Sequence, residues 1–213
     1  MRISTGCQQP YQALYFNKMK NLVLSFFKNI KEALFPAHHP KKFDNSFLFP
    51  YSEDKAIKQQ QVWDNLQKGI LFEDTGVFLP WVMPFSYLGK YAEQRKDKGD
   101  RTEWFLGKHQ ILDGYTCYVG VMKWVFVNDS KPFSEIVEWL GFDYEGNKKF
   151  LFLKDKLTDL LGHPAFMELE KFGDFDLGSV GWNREKVKIR LSGIEQFACK
   201  YRLSIGLTEN QNQ

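Results

Sequence analysis

The residues best placed to do chemistry in this chain are Cys117 and His109, with Asp113 between them. Nucleophilic catalysis needs a thiolate or hydroxyl beside a base that a third group orients. A tight turn at Asp113-Gly114 would set His109 and Cys117 facing each other across a hairpin. Cys117, however, lies in YTCYVGVMKW, among large apolar side chains. A free cysteine in such a strand is read as a small buried hydrophobe, so a hydrolase with a His/Cys site is the weakest alternative. Metal binding fares no better. His38 and His39 are adjacent, between Pro36 and Pro40; His163 stands alone; no HExxH, HxH or CxxC spacing occurs. The acidic group Glu168, Glu170, Asp174 and Asp176 lacks the spacing of a calcium-binding loop and reads as a solvated turn. There is no GxxxxGK[ST] and no GxGxxG. The expectation is a protein with no cofactor, no metal and no catalytic residue, one that is not an enzyme.

The most organised polar feature lies near the C terminus. Val187, Ile189 and Leu191 alternate with Lys186, Lys188 and Arg190, and Cys199, Tyr201, Leu203 and Ile205 alternate with Lys200, Arg202 and Ser204. Alternation with period two predicts two half-buried strands, joined around Gly193, with one wet face. Lys186, Lys188, Arg190, Lys200 and Arg202 would gather on that face and are the candidate partner-binding residues. The wet face of the two strands carries no rings between its cations for stacking on bases, so a nucleic-acid-binding module using the face is the alternative rather than the first reading.

The elements that must position these residues follow from spacing. Leu22, Val23, Phe26, Phe27, Ile30, Ala33 and Leu34 predict an amphipathic helix over 20–34, ended by Pro36. Its opening, MKNLVLSFF, is too short an apolar run for a leader and has no small-residue cleavage site. Helices are also predicted over 54–67, 85–94, 132–140 and 154–161, with a charged loop at 93–101. Ile70–Glu73 and Val77–Trp81 form a hairpin about Asp74-Thr75-Gly76, and residues 102–112 and 115–127 form strands. The expected fold is α+β: a mainly antiparallel sheet packed with several short helices. Residues 1–18 are read as a dispensable extension and 19–208 as a single domain.

The 213 residues carry a net charge of +3, and 16% are aromatic. Ring content on that scale supplies large buried areas and argues for a packed core. Ten Lys/Arg against five Asp/Glu in residues 1–69 make the leading third basic. Three cysteines without a zinc or disulfide pattern fit a reducing compartment, hence a cytoplasmic location. No apolar run is long enough for a membrane span.

From residue 70 onward the organisation resembles the immunity proteins of bacterial polymorphic-toxin and contact-dependent inhibition systems. The likeness rests on GILFEDTGVFLPW (69–81), PFSYLGKYAE (84–93), GDRTEW (99–104) and GSVGWNREKVKIRLSGIEQFACKYRLSIGL (178–207). The resemblance implies stoichiometric binding of a cognate toxin domain, with no turnover.

Overall fold

The computed structural model describes residues 46–208, which belong to one compact unit, Phe43–Gln213. The 1–18 extension, the 20–34 helix, Cys7, His38 and His39 lie outside the described residues.

Asp54 caps helix α1 (Lys55–Lys68), its carboxylate accepting the Ile57 N–H at 3.0 Å. This side-chain cap satisfies one of the amides that a helix start leaves without a partner. Strands β1 (Gly69–Phe72) and β2 (Val77–Pro80) form the expected hairpin, with Gly76 at φ 67° in its turn. A single-turn helix, α2 (Phe85–Leu88), is all that forms of the segment 85–94.

Next comes an antiparallel meander, β3 (Gln94–Lys98), β4 (Arg101–Ile111), β5 (Tyr115–Trp124) and β6 (Glu135–Phe142). Helix α3 (Asp143–Leu161) follows. A second meander completes the sheet: β7 (Phe166–Phe172), β8 (Phe175–Arg184), β9 (Val187–Glu195) and β10 (Cys199–Leu207). The order across the eight-stranded sheet is β3-β4-β5-β6-β10-β9-β8-β7, antiparallel at every junction. The fold is α+β with a mainly antiparallel sheet, as the patterning predicts.

Five local expectations are corrected. Residues 135–142 form a strand, not a helix; Ile136 and Leu140 point inward, and Glu138 between them breaks the apolar alternation that would have marked it. The helix expected at 154–161 is the last part of a 19-residue one. The charged segment 93–101 contains edge strand β3, whose side chains are all exposed. Charges along an outer strand discourage pairing with other chains. The acidic group is not one turn: Glu168 and Glu170 lie in β7, Asp174 lies in the β7–β8 turn, and Asp176 in β8 pairs with Lys171 at 2.8 Å while its N–H donates to Asn147 at 2.9 Å. The last two strands are joined through 196–198, not Gly193, which lies inside β9 opposite Tyr201.

One side of the sheet is committed to the core. Trp104, Leu106, Val119, Val121, Leu140, Ile189, Leu191, Tyr201, Leu203 and Ile205 are buried there with Phe150, Leu153 and Leu157 of α3 and Val62, Trp63 and Leu66 of α1. Trp63 donates its indole N–H to the Leu161 carbonyl at 3.2 Å, which ties the two helices together.

The approach of α3 to the sheet depends on Gly146. A methyl group there would lie 2.5 Å from a ring carbon of Tyr201 and 2.7 Å from the Gly141 carbonyl carbon. Gly146→Ala is therefore expected to lower stability by about 1–3 kcal/mol through overpacking. Urea unfolding followed by tryptophan fluorescence measures it. An unchanged midpoint would mean that Tyr201 can yield.

Candidate functional site: the outer face of the sheet

The other side of the sheet has no helix over it among the described residues, and its side chains form a two-part surface. Opposing residues of antiparallel strands point to the same side. The register therefore traces one row across all eight strands: Gln94, Phe105, Gly120, Val137, Ser204, Arg190, Gly181 and Phe166. On the β5–β6 side of the row, Tyr118, Met122, Trp124 and Trp139 project outward. Tyr118 is 67% exposed and Trp139 62%. Beyond β5, Phe126 is 80% exposed and stacks on Trp124, the rings 6.4 Å apart and within 2° of parallel.

On the other side of the seam lie the cations. Lys188 and Arg190 of β9 and Lys200 and Arg202 of β10 share this face, as the alternation predicts. They are staggered, since Lys188 opposes Gly206, Arg190 opposes Ser204, Arg202 opposes Ser192 and Lys200 opposes Ile194. Lys186 falls in the turn before β9, where its carbonyl accepts the Thr208 N–H, so it sits at the rim. Arg202 opposes Trp139 across the seam, and Lys200 opposes Phe142.

Rings and cations are therefore interleaved between strands, although neither β9 nor β10 alone shows it. The rings come from the neighbouring strands β5 and β6, not from β9 and β10 themselves. Sequence reasoning missed the rings because the β6–β10 pairing joins segments some sixty residues apart. Three ring–cation contacts lie on the face: Lys96 over Phe105 at 5.1 Å, Lys108 over Tyr118 at 6.0 Å and Arg190 over Phe166 at 5.4 Å. Such contacts hold flexible basic heads in place at small cost. Of the carboxylates here, Glu103 is paired with Lys98 and Arg101, both at 2.8 Å. Arg202 has no carboxylate partner among the described residues.

The His109/Cys117 pair is not assembled as a catalytic unit. The two residues do oppose each other in the β4–β5 ladder. Yet His109 donates from Nε2 to the Leu106 carbonyl at 2.9 Å, and its Nδ1 meets Asp74 at 3.2 Å while the ring stacks on Phe72. It staples β4 to the β1–β2 hairpin. Although its partial burial opposes this, the Gln110 N–H and the His109 ring hold the Asp74 carboxyl below its ordinary value. Burial pushes the Cys117 thiol well up, and Glu138 and Asp74 push it further, opposite to what a nucleophile needs. Among the described residues no group of three or more His, Cys, Asp or Glu side chains could hold a metal ion, and no helix is long and apolar enough to cross a membrane.

Glu138 supports the face from beneath. Strands β5 and β6 share a single ladder pair, Gly120 with Val137. Where they part, the buried Glu138 carboxylate accepts the Tyr118 N–H at 3.3 Å and the Tyr115 hydroxyl at 2.8 Å. It thus occupies the place of a strand partner below Tyr118 and Trp139.

No family model, curated protein or solved structure matches this chain. The surface itself must carry the functional reading.

Two expectations follow. Burial raises the Glu138 carboxyl above its ordinary value of 4.5, with Tyr115, the Tyr118 N–H and Lys149 opposing but not cancelling it. Between that value and the raised one, the folded chain holds more protons than the unfolded chain, so this group's contribution to stability falls as pH rises. Glu138→Gln keeps a hydrogen-bonding side chain at both contacts and is expected to remove that slope in pH-dependent unfolding. Glu138→Ala leaves both partners unsatisfied and is expected to cost about 2–3 kcal/mol. An unchanged slope in the glutamine variant would mean that this carboxyl does not titrate there. For the thiols, Cys117 and Cys199 are free and buried. A water-soluble maleimide should label neither in the native state and both after unfolding; rapid native labelling of Cys117 would contradict its burial.

Proposed function

We propose that this protein acts by binding a macromolecule through the outer face of its sheet, as an immunity-type inhibitor that holds a bacterial toxin domain in a stoichiometric complex in the cytoplasm, with no turnover of its own. The observation that carries the binding reading is the juxtaposition of exposed Trp139, Tyr118, Met122 and Trp124 with Arg202 and Arg190 on one face of the sheet. Tryptophan, tyrosine and arginine are the side chains that dominate binding energy at protein interfaces, and methionine is enriched there. The toxin as partner rests on the likeness in sequence organisation described above.

A second reading has a specific observation in its favour. Rings between cations, on a face rich in lysine, also suit nucleic acid.

Co-expression with the product of a neighbouring toxin-like reading frame tests the first reading. Growth rescue and a one-to-one complex on size exclusion are expected. Arg190→Glu with Arg202→Glu should slow association and make it more sensitive to salt, since charges of this kind act mainly on encounter. The double variant should fold normally, because exposed charges contribute little to stability. Absence of both rescue and complex would overturn the toxin reading. Equal rescue by the double variant would move the contact to another surface.

A further inference from the structure

We infer that the seam between β6 and β10 is a platform for single-stranded nucleic acid, with bases stacked on the β5–β6 rings and phosphates along the β9–β10 cations. This rests on the second reading of the face and specifies which nucleic acid it takes and where.

The division of labour across the seam is the first observation. Tyr118, Trp124 and Trp139 stand on one side; Arg190, Lys200 and Arg202 stand on the other. A single strand has the same two sides, a row of flat bases and a row of charges. Stacking serves any base, because every base has a π face.

The floor is the second observation. Ser204 and Gly206 of β10 face Val137 and Glu135 across the seam, and Gly120 of β5 lies beside Val137. Short side chains make that half of the seam lower than the other half, where Arg202 faces Trp139 and Lys200 faces Phe142. From the Lys200–Phe142 pair to the Gly206–Glu135 pair the seam runs for seven residues of β10. At strand spacing that is on the order of 20 Å, which suits the lower end of the roughly 4–16 nucleotides that sheet-based single-strand sites cover.

Charge favours nucleic acid over an acidic protein. Five lysines, Lys96, Lys98, Lys108, Lys188 and Lys200, lie on the face beside its arginines. Lysine is depleted at protein interfaces, whereas phosphate contacts use it freely. Of the carboxylates on the face, Glu103 is already neutralised by Lys98 and Arg101, which leaves Glu135 at one end of the seam and Glu168 on the edge strand β7. Shape argues against duplex: the face is the surface of a broad sheet and, among the described residues, presents no helix to enter a major groove.

Fluorescein-labelled oligo(U) and oligo(dT) of about 12 nucleotides, a duplex of equal length, and poly-L-glutamate are titrated with the full chain across a salt series. Both single strands should bind at low salt and quench tryptophan fluorescence; any difference between them distinguishes RNA from DNA as the natural ligand. Trp139→Ala should weaken binding at least about fivefold, the value of one lost stack, while Trp139→Phe retains most of it. Arg190→Ala and Arg202→Ala should each flatten the slope of log affinity against log salt by roughly 0.7. Circular dichroism checks that the variants fold. If Trp139→Ala binds as the wild type does, or the duplex binds as well as the single strands, the stacking platform is overturned while nucleic-acid binding by the face stands. If only poly-L-glutamate binds, or nothing does, the nucleic-acid reading fails with it.

Discussion

The pairing of β6 with β10 is the constraint on which the rest of the molecule depends. Each meander is a local structure in which a strand pairs with its neighbour in sequence. Only the seam, running from Lys200–Phe142 to Gly206–Glu135, joins them into one sheet. Helix α3 makes the seam possible by carrying the chain across the inner side from β6 to the far edge, so that the second meander runs back towards the first. The close fit at Gly146, Gly141 and Tyr201 lies at one end of this join. There the Asp143 carboxylate accepts the Cys199 N–H at 3.0 Å, linking the start of α3 to the start of β10. Core and outer face are thus two sides of one long-range contact.

How much of this could be read from the residues depends on how local the cause was. The β1–β2 hairpin, α1, β4, β5 and the final strand pair were legible because their periodicity and turn residues act within a few positions. Strand β6 was not, and the reason is Glu138. A carboxylate at an inward position makes Ile136, Val137 and Leu140 look like one helical face, because inward strand positions are ordinarily apolar. The glutamate is inward because β5 and β6 part beside it, and that separation is a property of the assembled sheet. Strands β7 and β8 were missed for a related cause. Their glycines, Gly178 and Gly181, accommodate the Glu168 carbonyl and the Phe166 ring of the partner strand, so they signal close approach rather than a turn.

The candidate site shows the same division. The basic residues on β9 and β10 were visible as an alternation, and the structure gathers four of the five on one face with Lys186 at its rim. The rings that give those cations a chemical context come from β5 and β6, and nothing in either segment announces the other. A surface built by distant pairing appears as two unrelated features in a linear string: an aromatic strand and a lysine-rich hairpin.

The strand order also bears on how the chain is made. β10 is the last strand of the sheet in chain order, yet it occupies a central place, flanked by β6 and β9. During vectorial synthesis both flanking strands emerge before the one that pairs with them. Until Leu207 has cleared the exit tunnel, the nascent chain presents two open edges that in the finished protein are interior. One of them, β6, bears Trp139 and the inward Ile136 and Leu140. Unpaired apolar edges recruit other chains. The charged β3 that guards the completed sheet gives no protection to those inner edges, so the interval between β6 and β10 is when this fold is most exposed to misassembly.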